Sequence, residues 1–123
     1  MSKDAIDFSV LIGPQVAARS FKVGETIFKE GDPATELYVI QSGRVGIRLG
    51  NRLLSTLEEN KIFGEMALVD NAPRSAGAVA ETEVTLVPIS EKQFLFLVSQ
   101  TPFFALKVMR VLARRLRATN STM

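Results

Sequence analysis

The sequence predicts an α+β fold that is mainly β: a short N-terminal helical segment, an antiparallel barrel or sandwich, and two closing helices. Three observations carry this. Between residues 21 and 89, short apolar runs recur with turn residues between them, at the roughly 8–12-residue spacing of antiparallel sandwiches and barrels. From Ser90 onward the apolar spacing changes from two to three and four. The chain has 123 residues, the length of one domain, enough to bury a core and enclose one ligand pocket.

The elements follow in order. Residues 1–20 read as partly helical, because Ile6, Val10 and Leu11 share a helix face and Gly13-Pro14 breaks the run. The barrel is expected over 21–89. Thr26–Lys29 is its first clear strand, ended by the Gly31-Asp32-Pro33 turn. Leu37–Gln41 is an apolar run closed by Ser42-Gly43. Val45, Ile47 and Leu49 alternate with Gly46 and Arg48, the period of a strand with one buried face. Gly50-Asn51 turns the chain into Leu53–Leu57, and Ala76–Ala80 and Val84–Ile89 come later. The closing helices are expected over 90–118. Ser90 with Gln93 forms a capping box for a helix through Val98. Thr101 caps the next, with Pro102 at its first position, where the missing N–H costs nothing. Leu106, Met109, Ala113 and Leu116 then repeat at three and four, a stripe suited to the barrel or to a twin helix.

Absent residue types narrow the chemistry. Without Cys there is no disulfide, thiolate nucleophile or cysteine metal site. Without His the chain lacks the commonest metal ligand and the commonest general base near neutral pH. Metal cupins, zinc enzymes and Ser-His-Asp hydrolases are thereby disfavoured, and an enzyme would have to work with carboxylates. The longest apolar run, Phe94–Val98, is far short of the ~20 residues that span a bilayer. Asp4 and Asp7 fall where a signal peptide would carry its basic and apolar regions, so a cytoplasmic protein with no membrane partner is expected. The net charge is +2, yet Lys107, Arg110, Arg114, Arg115 and Arg117 cluster with no acid among them. A solvated helix face with cations near its C-terminus accounts for that cluster, and nucleic acid is not an expected partner.

The informative stretch is 63–76, Phe63-Gly64-Glu65-Met66-Ala67-Leu68-Val69-Asp70-Asn71-Ala72-Pro73-Arg74-Ser75-Ala76. Gly64 allows a ligand to approach the main chain closely. Glu65–Val69 suit one or two helical turns, whose first N–H groups point outward and favour an anion. Arg74 is the only cation between Lys61 and Lys92, and its planar donors suit phosphate. Ser75 adds a hydroxyl. Glu65 would repel phosphate but accepts hydrogen bonds from sugar hydroxyls, so one cassette can read a ribose and a singly charged phosphate together. The plainer alternative is an internal Glu65–Arg74 ion pair beside a turn.

Phe63-Gly64-Glu65-Met66-Ala67-Leu68, followed after five residues by Arg74-Ser75-Ala76, resembles the phosphate-binding cassette of cyclic-nucleotide-binding domains. Those domains occur in the bacterial catabolite activator family, cyclic-nucleotide-gated channels and protein kinase A and G regulatory regions. Ile27, Gly31-Asp32, Leu37-Tyr38-Val39-Ile40 and Gly43 match a second family pattern upstream, with Phe28 where a smaller apolar residue is usual. The resemblance covers essentially the whole chain. It implies an eight-stranded jelly roll with flanking helices and a short cassette helix. It implies that Glu65 bonds the ribose 2′-OH, that Arg74 pairs with the cyclic phosphate, and that Ser75 and the N–H groups near Gly64, Met66 and Ala67 complete the cradle. The base would lie on the barrel wall under the last helix, with Leu112, Arg114 or Arg115 as its lid.

The resemblance thus implies a non-catalytic sensor whose ligand is a 3′,5′-cyclic nucleotide and which needs no other cofactor. Ser75, where cGMP-binding members carry Thr, favours cAMP over cGMP. The last helix would serve a homodimer or an effector. The chain lacks the helix-turn-helix of the transcription factors and the membrane helices of the channels, and Met1-Ser2-Lys3 reads as a natural start. A free-standing sensor, or a truncated sensor part of a transcription regulator or channel, is therefore expected. The alternatives are a nucleotide-free interaction module of the same fold, a carboxylate-based jelly-roll enzyme, and a nucleic-acid binder using the basic helix.

Overall fold

The computed structural model describes residues 17–66, 72–100 and 102–121. The helix expected within 1–20 falls almost wholly outside them, as do Ala67–Asn71 and Thr101. The described elements are β1 (Arg19–Phe21), β2 (Thr26–Phe28), β3 (Glu36–Ser42), β4 (Val45–Leu49), β5 (Arg52–Leu57), β6 (Ile62–Phe63), β7 (Gly77–Ala80), β8 (Val84–Ser90), α1 (Glu91–Gln100) and α2 (Pro102–Ser121). They fall into two compact units: one holds the strands and runs to Glu91, and the other holds residues 92–121.

The strands form two four-stranded antiparallel sheets, in the orders β1-β8-β3-β6 and β2-β7-β4-β5. The chain passes back and forth between the sheets, which is the expected eight-stranded jelly roll. No ladder joins one sheet to the other, so the barrel is two packed sheets and not a closed cylinder. Both sheets turn apolar side chains inward. Tyr38, Ile40, Phe63, Val84 and Leu86 meet Val45, Ala78 and Ala80 in one buried cluster, with Phe21, Ile27, Phe28, Ile47 and Leu57 packed against it. Leu37 and Val39 on the opposite face of β3 are buried too, which is why this strand reads as a continuous apolar run and not as an alternation. Gly50-Asn51 closes the β4–β5 hairpin as the sequence suggests, with Leu49 opposite Arg52.

Two strands were not foreseen. β1 and β6 span three and two residues, too short to display a period, and are set by their partners: Arg19–Phe21 along β8, Ile62–Phe63 along β3. β2 departs from regular alternation as well. Its ladder with β7 slips between Thr26 and Phe28, so Thr26 faces Val79 while Phe28 faces Ala78. The slip lets Ile27 and Phe28, neighbours in sequence, both pack on the core.

α1 runs two residues past the expected Val98, and α2 starts at Pro102 as expected. Among the described side chains of α2, Val108 and Val111 are buried, whereas Leu106, Met109 and Ala113 of the expected stripe are exposed; the Leu116 side chain lies outside the description. Apolar residues occupy most of the circumference between Phe103 and Ala113, so spacing alone does not select the buried face. Among the described residues no single helix is long and apolar enough to cross a membrane.

The turn between β3 and β4 leaves no room for a side chain. Gly43 has φ +92°, and a Cβ there would overlap the carbonyl oxygen of Glu83. Gly43→Ala is expected to destabilise the fold by about 2 kcal/mol or more, from the left-handed backbone and the clash together. Urea denaturation measures this, and an unchanged midpoint would contradict it.

Candidate functional site

The site begins in the main chain. The Gly31 N–H donates to the Arg74 carbonyl at 2.7 Å, and the Arg74 N–H donates to the Asp32 carbonyl at 2.9 Å. The Gly31-Asp32 turn is itself braced, because the Asp32 carboxylate accepts from the Lys29 N–H at 2.9 Å. This doubly bonded junction fixes where the Arg74 side chain starts. β6 ends at Phe63, and Gly64 follows with φ +74°.

The Arg74 side chain then reaches inward until the residue is only 7% exposed. Nη1 donates to the Gly64 carbonyl at 3.0 Å, and Nη2 donates to the Glu36 carbonyl at 2.8 Å. The guanidinium carbon lies 4.1 Å from the centroid of the Phe28 ring and 5.8 Å from that of Tyr38. Nε is buried with no hydrogen-bond partner. The Glu36 carboxylate is engaged elsewhere, accepting from Arg19 Nη1 at 2.6 Å and from the Tyr38 hydroxyl at 2.9 Å. The ion pairs among the described residues are Arg19–Glu36 and Arg48–Glu81. Among the described residues Arg74 thus has no ion-paired carboxylate, and the internal Glu65–Arg74 pair considered from the sequence is not among their ion pairs.

Burial lowers the affinity of the Arg74 guanidinium for its proton, and Tyr38, Glu36 and Asp32 act in the opposite sense. Arginine starts so high that the group stays cationic at neutral pH. A buried charge without a counter-ion is costly, even with partial compensation from carbonyl dipoles. The Nε–H and one hydrogen on each Nη remain to be used, since a guanidinium has five N–H donors. Such a group is chemically a receptor for an oxyanion. Glu65, 5% exposed, lies next in sequence to Gly64 and is a buried carboxylate. Among the described residues no group of acidic side chains is placed to hold a metal ion.

Residues 18–101 match the family model described as "Cyclic nucleotide-binding domain". The chain belongs to the cyclic nucleotide-binding domain family. It is 34% identical over 116 residues to a "CRP-like cAMP-activated global transcriptional regulator" of Mycobacterium tuberculosis, an alignment covering 89% of this chain and 51% of that protein. The solved structure of the Thermus thermophilus catabolite activator protein superposes with a TM-score of 0.80 at 34% identity, over 87% of this chain and 53% of the other. The EAL enzyme Bd1971 is similar at 37% identity in both its cAMP-bound and its cGMP-bound forms, with TM-scores of 0.64 and 0.66 over 86% of this chain and about 30% of that one. The chain thus spans about half the length of the curated regulators it matches. The family resemblance stated from the sequence is borne out.

Within this cyclic nucleotide-binding domain, the structure brings Gly64 and Arg74 into contact and buries Glu65 beside them. Ser75 follows Arg74 on an exposed bend, and Met66 is 47% exposed. Ala67 lies outside the described residues. Leu112, Arg114 and Arg115 are half-buried on α2, in the other unit, and burial lowers the proton affinity of Arg115. The sequence did not reveal the Glu36 carbonyl or the Phe28 ring as neighbours of Arg74. A carbonyl has no residue-type signature. Phe28 carried one faint signal, an aromatic residue three positions before the turn that holds the Arg74 main chain.

A Cβ on Gly64 would stand 2.5 Å from Arg74 Nη1, so the guanidinium would have to move from its place to admit a side chain there. Gly64→Ala is expected to destabilise the protein more when Arg74 is present than in an Arg74→Ala background, by about 1–2 kcal/mol of coupling. Urea denaturation of the four proteins closes the cycle, and strict additivity would contradict the contact.

Proposed function

We propose that this chain binds a 3′,5′-cyclic nucleotide, cAMP in preference to cGMP, and acts as a non-catalytic sensor. The observation that carries the reading is the Arg74 guanidinium, buried, held by two carbonyls and an aromatic ring, with no ion-paired carboxylate among the described residues and an Nε–H without a partner. On this reading Arg74 pairs with the cyclic phosphate. Ser75 and the main-chain N–H groups around Gly64, Met66 and Ala67 share that phosphate, and Glu65 accepts from the ribose 2′-OH.

Family membership supports a cyclic nucleotide as the ligand class. The preference for cAMP rests on Ser75 and on relatives described as cAMP-activated or cyclic AMP receptors. The non-catalytic role rests on those regulatory relatives and on a chain with no His or Cys. Signalling follows from differential affinity: the nucleotide favours whichever arrangement of the 64–74 segment closes on the phosphate. Leu106 and Met109, exposed on α2, are the residues offered to a second copy or an effector.

Removing one member of a buried charge-assisted pair costs about 2–5 kcal/mol. Arg74→Ala is therefore expected to weaken cAMP binding by roughly 30-fold or more in calorimetry, with the circular dichroism spectrum retained. An unchanged affinity would discard the phosphate role. Glu65→Gln is expected to weaken cAMP far more than 2′-deoxy-cAMP, and equal losses would remove Glu65 from the ribose.

A further inference from the structure

Phe28 occupies an unusual place beneath Arg74. The guanidinium carbon sits 4.1 Å from its ring centroid, well inside the ~6 Å range of a cation–π contact. The ring also backs onto the core aromatics, with centroids 5.9 Å from Phe63 and 6.2 Å from Tyr38. Its edge is 3.6 Å from where a Cβ on Gly64 would lie. The ring therefore forms the floor on which Arg74 rests and lies close beneath Gly64, whose carbonyl accepts from Nη1. It gets there through the slip in the β2–β7 ladder, which turns Phe28 to the same side as its neighbour Ile27. A regular strand would send consecutive side chains to opposite faces.

We infer that Phe28 is a positioning residue for ligand binding: its π face, aimed by the β2 bulge, holds the Arg74 guanidinium in the orientation that leaves Nε–H free for an anion. The inference rests on the cyclic-nucleotide reading for its ligand, but the stack itself does not. Two carbonyls fix the Nη ends of the guanidinium, yet a plane held at one edge still rocks about that edge. A ring whose centroid lies 4.1 Å from the guanidinium carbon restricts that rocking. A packing role would require only volume at position 28; a positioning role requires the electron-rich ring face.

The test replaces Phe28 in the full chain by 4-fluoro-, 3,5-difluoro- and 3,4,5-trifluorophenylalanine, which weaken the ring quadrupole with little change in shape. Calorimetry with cAMP is expected to show affinity falling stepwise, by roughly three- to tenfold at the trifluoro ring, and Phe28→Leu by at least as much. In an Arg74→Gln background the same replacements should change affinity by less than about twofold, because the coupling is gone. Flat affinity across the series, or equal losses in both backgrounds, would overturn the inference. If the wild-type chain binds no cyclic nucleotide, the function proposed above fails and the decision passes to NMR of the free protein. An Arg74 Nε–Hε resonance shifted upfield by the ring, and restored by Phe28→Leu, supports the stack; an unshifted resonance overturns it.

Discussion

A buried guanidinium with no ion-paired carboxylate among the described residues is the constraint around which this protein is arranged. The cost of desolvating such a charge is several kcal/mol, and a fold of this size has little stability to spare. The chain meets that cost in parts. Two carbonyls supply their negative ends to Nη1 and Nη2, and the guanidinium carbon lies over the Phe28 ring. On the function proposed above, the remainder falls to an anion from outside. Had a neighbouring acid closed on Arg74, the group would have been stable and inert. Glu36 is near enough to serve, but Arg19 and Tyr38 hold its carboxylate and only its carbonyl faces Arg74.

The jelly roll makes this convergence possible. Phe28 comes from one sheet, Glu36 from the other, and Gly64 from the end of a strand two residues long. They are far apart in sequence and meet because the chain crosses between sheets after nearly every strand. Arg74 joins them by main-chain bonds to the Gly31-Asp32 turn. The site is thus set by backbone geometry first and by side chains second. That order suits a receptor whose donors must be aimed before the ligand arrives.

Much of this was legible beforehand, for identifiable reasons. Arg74 stands out because no other cation lies between Lys61 and Lys92, and Gly64-Glu65 because an acid beside a flexible residue makes little sense near an anion unless hydroxyls are also read. The strands of β3, β4, β7 and β8 announced themselves through runs or alternation bounded by turns. What stayed hidden was of two kinds. Carbonyl acceptors and strand pairings as short as β6 have no residue-type signal, since they are created by partners distant in sequence. The buried line of α2 was not selected because apolar residues cover too much of that helix for spacing to discriminate: Val108 and Val111 are buried, while Leu106 and Met109, in the stripe suited to the barrel or a twin helix, are exposed.

A crystal structure of the chain with cAMP bears most directly on the central claim. The expected result is a cyclic-phosphate oxygen about 2.8 Å from Arg74 Nε, with the guanidinium still on Phe28 and still donating to the Gly64 and Glu36 carbonyls. A nucleotide bound elsewhere on the surface, with Arg74 Nε still lacking a partner, would contradict it.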